Sequence, residues 1–269
     1  MALTSSTTYV PMGAINAEKI EESVIPLPWD SEHFEILIGR ISPPELTDQE
    51  LEKVLSYTKR KGFDLVYWAT RPECNLPATI LTEFSGMLVS RKVTFQRNFM
   101  SVPISDFVGT LSRTFQIVEY TQSPATEQLL SLAVQSGIYS RFNVDPCIPK
   151  EKFESLFHIW MNRSVVHDLA DVVFVAVHPS SIHQYLGVIT ASVEHGIGKI
   201  GLISVLPPYQ GQGVGSLLMN AVHQWMHCHD INETVVVTQQ ANLAACNLYT
   251  RLGYQLESLQ NFYHFWVQQ

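Results

Sequence analysis

Apolar and polar positions follow two different periods along this chain, and they predict short strands and amphipathic helices. The pattern is clearest after residue 114, where apolar residues recur every three or four positions in one helix that Ser123-Pro124 is expected to cap and in another over Phe153–Met161. Apolar runs bounded by Gly, Pro or Ser predict the strands of the same region. They cover Phe115–Tyr120, Val172–His178, Tyr185–Glu194, Lys199–Leu206, Thr234–Thr238, Tyr254–Leu256 and Phe262–Val267.

Two further helices complete this region. The first runs from Val214 through Trp225, and the second from Asn242 to Leu252, with Gly253 placed to end it as a left-handed residue. The polar and aromatic segment Tyr139–Pro149 is expected to be a loop. The element order is β-α-α-β-β-β-α-β-α-β-β, which indicates an α/β (α+β) fold with a mixed central sheet flanked by helices.

The region before residue 105 has elements of its own but is too short for a large independent core. A helix is predicted over Thr47–Lys61, a strand over Phe63–Ala69, a helix within residues 75–85 and an extended segment over Met87–Met100. We expect this region to pack on the C-terminal one. The chain is thus predicted to have a flexible N-terminal arm, a small N-terminal α/β subdomain and a larger α/β domain, at residues 1–25, 26–105 and 112–269.

Composition narrows the class of protein. With 46% apolar residues the chain is expected to fold around a buried core, and its net charge of −8 argues against general nucleic-acid binding. The sequence contains no run of about 18 apolar residues, so no membrane span is predicted. Residues 1–25 also lack the features of a signal peptide. We therefore expect a cytoplasmic protein with neither nucleic acid nor membrane as a partner.

The spacing of cysteine and histidine predicts no metal site and no disulfide framework. The four cysteines lie far apart in the sequence and include no Cys-x-x-Cys pair. His227 and His229 flank one of them near a predicted helix end. They are two positions apart, so they do not share a helix face on which a metal could bind.

The most informative motif is the glycine-rich stretch Gln210-Gly211-Gln212-Gly213-Val214-Gly215-Ser216. It lies between the predicted strand that ends near Leu206 and the helix that begins near Val214. Such a turn directs unpaired backbone N–H groups and the positive end of the helix dipole at one point. A phosphate or pyrophosphate is the expected ligand, although a turn without any ligand has the same pattern.

Three kinds of glycine-rich phosphate loop compare with this stretch. A Walker loop requires a Lys after the last glycine, and none is present. A Rossmann fingerprint requires glycine at position 216, which is Ser here. It also requires an acidic residue after the next strand, but that strand ends in Thr-Gln-Gln. The third pattern, Gln/Arg-x-x-Gly-x-Gly/Ala, is complete. It resembles the acetyl-coenzyme A loop of the Gcn5-related N-acetyltransferases (GNAT), whose element order is similar to that predicted from Phe115 onward.

This resemblance implies an N-acetyltransferase that uses acetyl-coenzyme A and no metal. Backbone groups of the strand before the loop would pair with the pantetheine amides, because that strand splays from its neighbour in this fold. The loop itself would bind the pyrophosphate. The cofactor-binding residues implied are Ile203, Ser204, Val205, Gln210, Gly211, Gln212, Gly213, Val214, Gly215 and Ser216.

The helix after the next strand resembles the second half of the coenzyme A site, with Asn242, Ala245, Tyr249 and Gly253 at the family's spacing. The resemblance assigns Asn242 to the pantetheine arm and Tyr249 to the thioester sulfur. A phenol that stays protonated at neutral pH can donate to the leaving thiolate there. The alternative is that Tyr249 only packs in the core. The residues considered as general base, directly or through water, are Asp145, Glu194, His195 and His264.

Upstream segments are similar to the dTDP-fucosamine N-acetyltransferase group. Leu27–Phe34, Ser140–Phe142 and Phe157–Asn162 resemble its marker segments. Those enzymes acetylate the 4-amino group of a nucleotide-linked 4-amino-4,6-dideoxy sugar. One departure is the intact glycine loop, which is degenerate in the group's best-known member. The acceptor stays open between such an amino sugar, a peptide amine, a polyamine and an aminoglycoside, and a non-catalytic coenzyme A-binding module is a further alternative.

Four residues are candidates for acceptor binding. Arg141 can hold a phosphate through a two-pronged contact, and Tyr139 and Phe142 can stack on a base or a sugar face. Glu194 is the fourth candidate. It is equally open that Arg141 pairs with a surface carboxylate and that Phe142 lies in the core. The sequence does not decide between a monomer and a homodimer.

Overall fold

The computed structural model describes residues 17–99 and 114–269, which fall into two compact units. The first unit comprises the described residues up to Met87 together with Tyr263–Gln269, and the second runs from Leu88 to Phe262. The predicted boundaries at residues 105 and 112 lie outside the described residues. The predicted domain ranges therefore stay predictions.

The first unit is a small α/β assembly. Strands β1 and β2 pair antiparallel, and β2 and β3 pair in parallel. Helix α3 begins with a capping box in which the Thr47 hydroxyl accepts from the Glu50 N–H and the Glu50 carboxylate accepts from the Thr47 N–H. Its apolar side, with Leu51 and Leu55, is fully buried near Trp68 and Phe265. The elements are α1 (Ala17–Glu22), β1 (Val24–Pro26), α2 (Pro28–Phe34), β2 (Ile38–Ile41), α3 (Asp48–Arg60), β3 (Leu65–Thr70) and α4 (Ala78–Glu83).

Most predictions for this unit are confirmed within a few residues, since α3, β3 and α4 occupy their expected segments. The expected N-terminal arm is different. Its first 16 residues lie outside the described part of the chain, but Ala17–Glu22 is helical and Val24–Pro26 is a strand. Val24 is buried against the apolar core of the unit, which explains why this segment has regular structure.

The second unit is a mixed sheet covered by helices on both faces, as predicted. Its strand order is β10-β4-β9-β8-β7-β6-β5. Strand β7 is buried continuously from Tyr185 to Ala191 and contacts both α5 and α8, which is typical of a central strand covered on two sides. The elements are β4 (Gly86–Asn98), β5 (Gln116–Glu119), α5 (Glu127–Ser136), α6 (Arg141–Val144), α7 (Lys150–Val165), β6 (Val172–His178), β7 (Ser181–Glu194), β8 (Ile197–Val205), α8 (Val214–Cys228), β9 (Glu233–Gln239), α9 (Leu243–Arg251) and β10 (Gln255–Phe265).

Three local predictions for this unit are wrong. Helix α5 begins at Glu127 because Thr126, in an extended conformation, caps it through a bond from the Leu129 N–H, so Ser123-Pro124 precedes the helix. The expected loop after α5 contains one helical turn, α6. The two expected C-terminal strands are one strand, β10, whose exposed polar first half carries no apolar alternation for the sequence pattern to detect.

Candidate functional site

A cleft opens where strands β8 and β9 stop pairing. The two strands run parallel with Gly198 opposite Thr234 and Ile200 opposite Val236, and the pairing ends there. Beyond that point, residues of both strands line one pocket, with Gly201–Ile203 on one side and Val237–Gln239 on the other. The expected splay of the strand before the glycine loop is thus confirmed.

A β-bulge lies on the other edge of β8 at the same level. Ile200 pairs with Ala191 and Ile203 pairs with Ile189 on β7, so Gly201 and Leu202 together face Thr190. The Thr190 Oγ1 atom accepts from the Leu202 N–H at 2.8 Å. A Cβ atom at position 201 would lie 2.6 Å from that Oγ1 atom, so only glycine fits. A bulge bends its strand, which is consistent with β8 leaving β9 here.

Tyr249 lies on α9 and lines the cleft, although only 1% of its surface is exposed. Its ring contacts Phe95 and Tyr254, with ring centres 5.8 and 5.9 Å away. Burial, followed by the nearby Tyr254 and Cys246, raises the pKa of the Tyr249 phenol above its ordinary value near 10. The hydroxyl is therefore protonated at neutral pH and can act as a donor.

Asn242 is the N-cap of α9 and also lines the cleft. Its Oδ1 atom accepts from the Ala245 N–H at 3.2 Å, which satisfies one of the free donors at the helix start. The Asn242 side-chain amide keeps its own N–H donors in addition to this cap. Ala245 lines the cleft one helical turn later.

The glycine loop forms an uncapped helix N-terminus at the end of β8. A 3₁₀ turn, Pro207–Tyr209, leads into the loop, and Gly211 and Gly213 have φ angles of +74° and +87°. Gly213 is the N-cap of α8 and has no side chain with which to cap the helix. The first backbone N–H groups of α8 therefore lack an intrahelical acceptor, which is the arrangement that binds an anion.

Glutamine side chains fix the loop from within. The Gln210 Nε2 atom donates to the Val205 carbonyl at 2.9 Å, and the Gln212 Nε2 atom donates to the Pro208 carbonyl at 2.7 Å. Gln135 of α5 donates to the same Val205 carbonyl at 2.7 Å. The Val205 carbonyl and the Leu202 N–H are thus already engaged with the protein.

Helix α8 approaches the rest of the site through Gly215. A Cβ atom there would lie 3.3 Å from the Leu248 Cδ2 atom of α9, which is tighter than an ordinary contact. The sequence-predicted residues of the loop do not line the cleft, and neither do Ser204 and Val205. The structure instead brings Ile203, Asn242 and Tyr249 together in the cleft and leaves the loop at the end of β8.

Of the four residues predicted to bind the acceptor, two line the cleft and two do not. Arg141 and Phe142 line the cleft, and the Arg141 Cζ atom lies 4.2 Å from the centre of the Phe142 ring and 5.3 Å from that of the Phe262 ring. Tyr139 is outside the lining set and 38% exposed. Glu194, at the end of β7, forms an exposed ion pair with Lys199.

The residues considered as general base do not line the cleft. Asp145 is buried and accepts from the Cys147 N–H at 2.9 Å. Glu194 and His195 lie at the β7–β8 hairpin, where His195 has a φ of +54°. His264 is buried in the first unit, stacked on Tyr67. The described lining residues of the cleft include no Asp, Glu or His.

Sequence reasoning missed one wall of the cleft. Strand β4 contributes Ser90 and Lys92, two positions apart and so on one face, and Lys92 is paired with Gln239 of β9. Only the strand register reveals this position. Phe157 and Trp160 of α7 also line the cleft, with ring centres 5.0 Å apart. The strand pairing of β4 could not be read from its sequence alone.

Residues 17–99 and 114–269 contain neither a candidate metal centre nor a candidate membrane-spanning helix. No cluster of three or more Asp, Glu, His or Cys side chains able to hold a metal is found there. None of the helices in that part of the chain has the length and apolar character to cross a membrane. The four cysteines, all of them described, form no disulfide.

Comparison with known proteins connects this site to a family. Residues 138–254 match the Acetyltransferase (GNAT) family. The spore coat polysaccharide biosynthesis protein SpsD of Bacillus subtilis is 28% identical over 142 residues, which are 52% of this chain and 47% of that protein. The match thus spans about half the length of this curated relative.

Solved structures agree with the fold. A GCN5-related N-acetyltransferase from Sphaerobacter thermophilus aligns with a TM-score of 0.59 and 15% identity over 90% of this chain and 75% of that chain. A conserved protein of unknown function from Staphylococcus epidermidis aligns with a TM-score of 0.58 and 12% identity over 86% and 84%. Together with the match of residues 138–254 to the GNAT family, they show that the chain has the GNAT fold.

Proposed function

We propose that this protein transfers the acetyl group of acetyl-coenzyme A to a primary amine in the cleft between β8 and β9. The observation that carries the proposal is the position of Tyr249, a buried phenol facing a cleft whose two strands have stopped pairing. The glycine loop supports the proposal as a site for the coenzyme A pyrophosphate, because Gly211 and Gly213 leave its backbone donors accessible.

We assign a set of contacts to each part of the donor. The uncapped start of α8, over Gln210–Ser216, would bind the pyrophosphate. The backbone of Ile203 and Ser204 and the amide of Asn242 would bind the pantetheine arm, and Val205 would position the loop through its two glutamine contacts. Acetyl-coenzyme A supplies the activated thioester, and no metal is needed for its transfer.

The reaction follows as a direct attack. The amine nitrogen forms a bond to the thioester carbonyl carbon, and the carbon–sulfur bond breaks as the thiolate leaves. Tyr249 donates a proton or a hydrogen bond to that sulfur, and its raised pKa keeps the proton on the phenol until it is needed. We assign the amine proton to solvent water, since the cleft's described lining residues include no carboxylate or imidazole.

The acceptor we propose is the amino group of a nucleotide-linked amino-deoxy sugar. Arg141 and Phe142 in the cleft support it, since a guanidinium binds phosphate and an aromatic ring packs on a sugar face. The relative SpsD is a spore coat polysaccharide biosynthesis protein, so it too is connected with carbohydrate. A peptide amine, a polyamine or an aminoglycoside is the alternative acceptor. Glu194 and Tyr139 are not part of this proposal.

The test combines binding and turnover on the full chain. Thermal unfolding with acetyl-coenzyme A at 100 times its Kd should show a stabilisation of about 2.7 kcal/mol. An acetyl-transfer screen should then compare nucleotide-linked amino sugars, polyamines, aminoglycosides and peptides, with coenzyme A release as the readout. Stabilisation without turnover on any acceptor would support a coenzyme A-binding module instead. The absence of any stabilisation would reject both readings. A cytoplasmic location and a homodimer remain predictions.

A further inference from the structure

Two serine residues on neighbouring turns line the cleft, and their hydroxyl groups differ in hydrogen bonding. Ser136, at the end of α5, donates its hydroxyl to the Ala133 carbonyl at 2.6 Å. The Ser140 Oγ atom is buried, and within residues 17–99 and 114–269 it has no hydrogen-bond partner. A buried hydroxyl without a partner costs free energy, and a bound group that completed its hydrogen bond would remove that cost.

The place of Ser140 in the chain makes the missing hydrogen bond unusual. Ser140 is the N-cap of α6 and has an extended backbone, and a serine there ordinarily accepts from a backbone N–H two or three residues later. The Ser140 side chain makes no such bond. Instead, the Ser140 carbonyl accepts from the Asn143 and Val144 N–H groups, at 3.0 Å each. Backbone groups thus close this turn, and the hydroxyl stays available for a ligand.

The wall of the cleft next to Ser140 is aromatic. The Ser140 N–H donates to the Gly137 carbonyl at 2.8 Å, and a Cβ atom at position 137 would overlap the Phe157 ring. Phe157 in turn contacts Trp160, with ring centres 5.0 Å apart, and all of these residues line the cleft. Phe157 is buried, whereas Trp160 is half-buried. Trp160 therefore keeps aromatic surface on which a ligand can pack.

A hydroxyl beside an aromatic face suits a sugar ring. The edge of such a ring carries hydroxyl groups that can exchange hydrogen bonds with a serine, and its faces carry C–H groups that can pack on an indole. A linear polyamine has no hydroxyl and no ring face. The elements assigned above to acetyl-coenzyme A are β8, the glycine loop and α9, whereas Ser140 and Trp160 belong to α6 and α7. The ligand expected here is therefore the acceptor.

We propose that Ser140 binds a ring hydroxyl of a sugar acceptor while Trp160 packs on a face of the same ring. This inference rests on the proposed transferase function, and it adds two residues that determine acceptor specificity. The hydrogen bond fixes the rotation of the ring in the cleft, and the indole fixes its plane. Together they set the position of the amino group that is acetylated.

Thermal unfolding of the protein without ligand tests the state of the hydroxyl. Ser140→Ala removes a group without a partner, so its unfolding temperature should equal or exceed that of the wild type. Thr47→Ala is the matched control, because the Thr47 hydroxyl does cap its helix and its loss should lower the unfolding temperature. A lower unfolding temperature in Ser140→Ala would show that its hydroxyl is engaged within the protein, and it would overturn the proposal.

Kinetics on acceptors that differ by one hydroxyl test the contact itself. With acetyl-coenzyme A saturating, the acceptors are dTDP-4-amino-4,6-dideoxygalactose and its 2-deoxy and 3-deoxy analogues. Ser140→Ala should raise KM for the parent sugar about three- to tenfold, the effect of losing one neutral hydrogen bond. It should leave KM unchanged for the analogue that lacks the hydroxyl bound by Ser140. Trp160→Leu should raise KM for all three sugars, because their ring faces are alike.

Ser136→Ala is the control within the cleft, and any change in KM that it causes should be the same for the three acceptors. If Ser140→Ala changes KM equally for all three sugars, or for none, Ser140 does not bind a ring hydroxyl. An unchanged KM in Trp160→Leu would likewise contradict the packing of the ring on the indole.

Direct binding separates failure of this inference from failure of the transferase assignment. Calorimetric titrations use the same three sugars with coenzyme A saturating, so that no acetyl transfer is needed. A Kd for the parent sugar that rises about three- to tenfold in Ser140→Ala, with one analogue unaffected, supports the inference even if no acceptor turns over. Turnover by the wild type with unchanged sugar binding in Ser140→Ala supports the transferase assignment and overturns the inference. Absence of binding of all three sugars to the wild type also overturns it.

Discussion

The two ends of the candidate site offer different kinds of chemical group to a ligand. At the glycine loop, the available groups are backbone N–H donors held by positive-φ glycines and internal glutamine bonds. In the cleft, the lining residues include Lys92, Arg141 and Tyr249, whose side chains come from three different elements. Backbone recognition suits a ligand that does not change, whereas side chains from separate elements allow the acceptor to differ between related proteins.

This difference also means that the two ends should respond separately to mutation. Changes at the loop should alter the affinity for acetyl-coenzyme A, and changes in the cleft should alter acceptor binding or turnover. Tyr249 lines the cleft, but its change to Phe should alter turnover and neither affinity. The predictions below are ordered by expected size.

The largest effect is expected for Tyr249→Phe. Loss of the phenol donor should lower kcat by ~10²–10⁴-fold, the typical contribution of a positioned acid. Because the ring still fills its place beside Phe95 and Tyr254, acetyl-coenzyme A binding should persist. Steady-state kinetics and calorimetric titration measure the two quantities. Tyr57→Phe, on α3 of the first unit, is the control.

An unchanged kcat in Tyr249→Phe would remove this residue as the acid and return it to a packing role. A parallel loss of acetyl-coenzyme A affinity would show that the loop and the cleft are not separable at this residue.

A smaller effect is expected for Gly211→Ala. An L-residue at a φ of +74° is strained by roughly 1–2 kcal/mol. Without ligand the loop can relieve this strain by changing its conformation, but it must return to the strained conformation to bind the pyrophosphate. The Kd for acetyl-coenzyme A should therefore rise about tenfold, while KM for the acceptor stays constant. Gly196→Ala is a matched control, because Gly196 also has a positive φ, +80°, and open space around it.

Equal changes in the Kd of the two alanine variants would indicate a general loss of stability and would count against the loop as the pyrophosphate site. Thermal unfolding of both variants measures the change in the free energy of unfolding independently of ligand binding.

The last prediction concerns the stability of the fold and rests on His223. It lies on α8, is fully buried, and is 2.9 Å from the Tyr254 hydroxyl and 3.4 Å from an Arg97 nitrogen. Burial, then Arg97, lowers the pKa of His223 to about 3. In the unfolded chain it titrates near pH 6.5, so the unfolded state binds more protons between these values.

The stability contribution of the neutral imidazole is therefore complete above pH 6.5 and is lost as the pH falls towards 3. The slope from this group should approach about 1.4 kcal/mol per pH unit. Denaturant unfolding at several pH values should show that slope reduced in His223→Gln and kept in His183→Gln, an exposed histidine. Identical slopes in wild type and His223→Gln would contradict the buried, neutral state.

The structure of the glycine loop and of helix α9 was predictable from sequence because the residues that form them are contiguous. A strand, a run of glycines and a helix are contiguous, and the Asn242–Tyr249 spacing places both residues on one helix. The acceptor end depends on strand register and on a single helical turn. Lys92 enters the cleft only because β4 pairs with β9, and α6 is too short to have a periodicity. The general-base candidates were chosen by residue type, and their positions could not be read from the sequence.

The contact between Thr190 and Gly201 has an evolutionary consequence. Because a Cβ atom at position 201 would overlap the Thr190 hydroxyl, and that hydroxyl accepts from the Leu202 N–H, the two positions are not free to change independently. A related sequence that acquires a side chain at 201 must also replace the residue at 190 or lose the bulge. We therefore expect these two positions to co-vary among relatives that retain the open cleft.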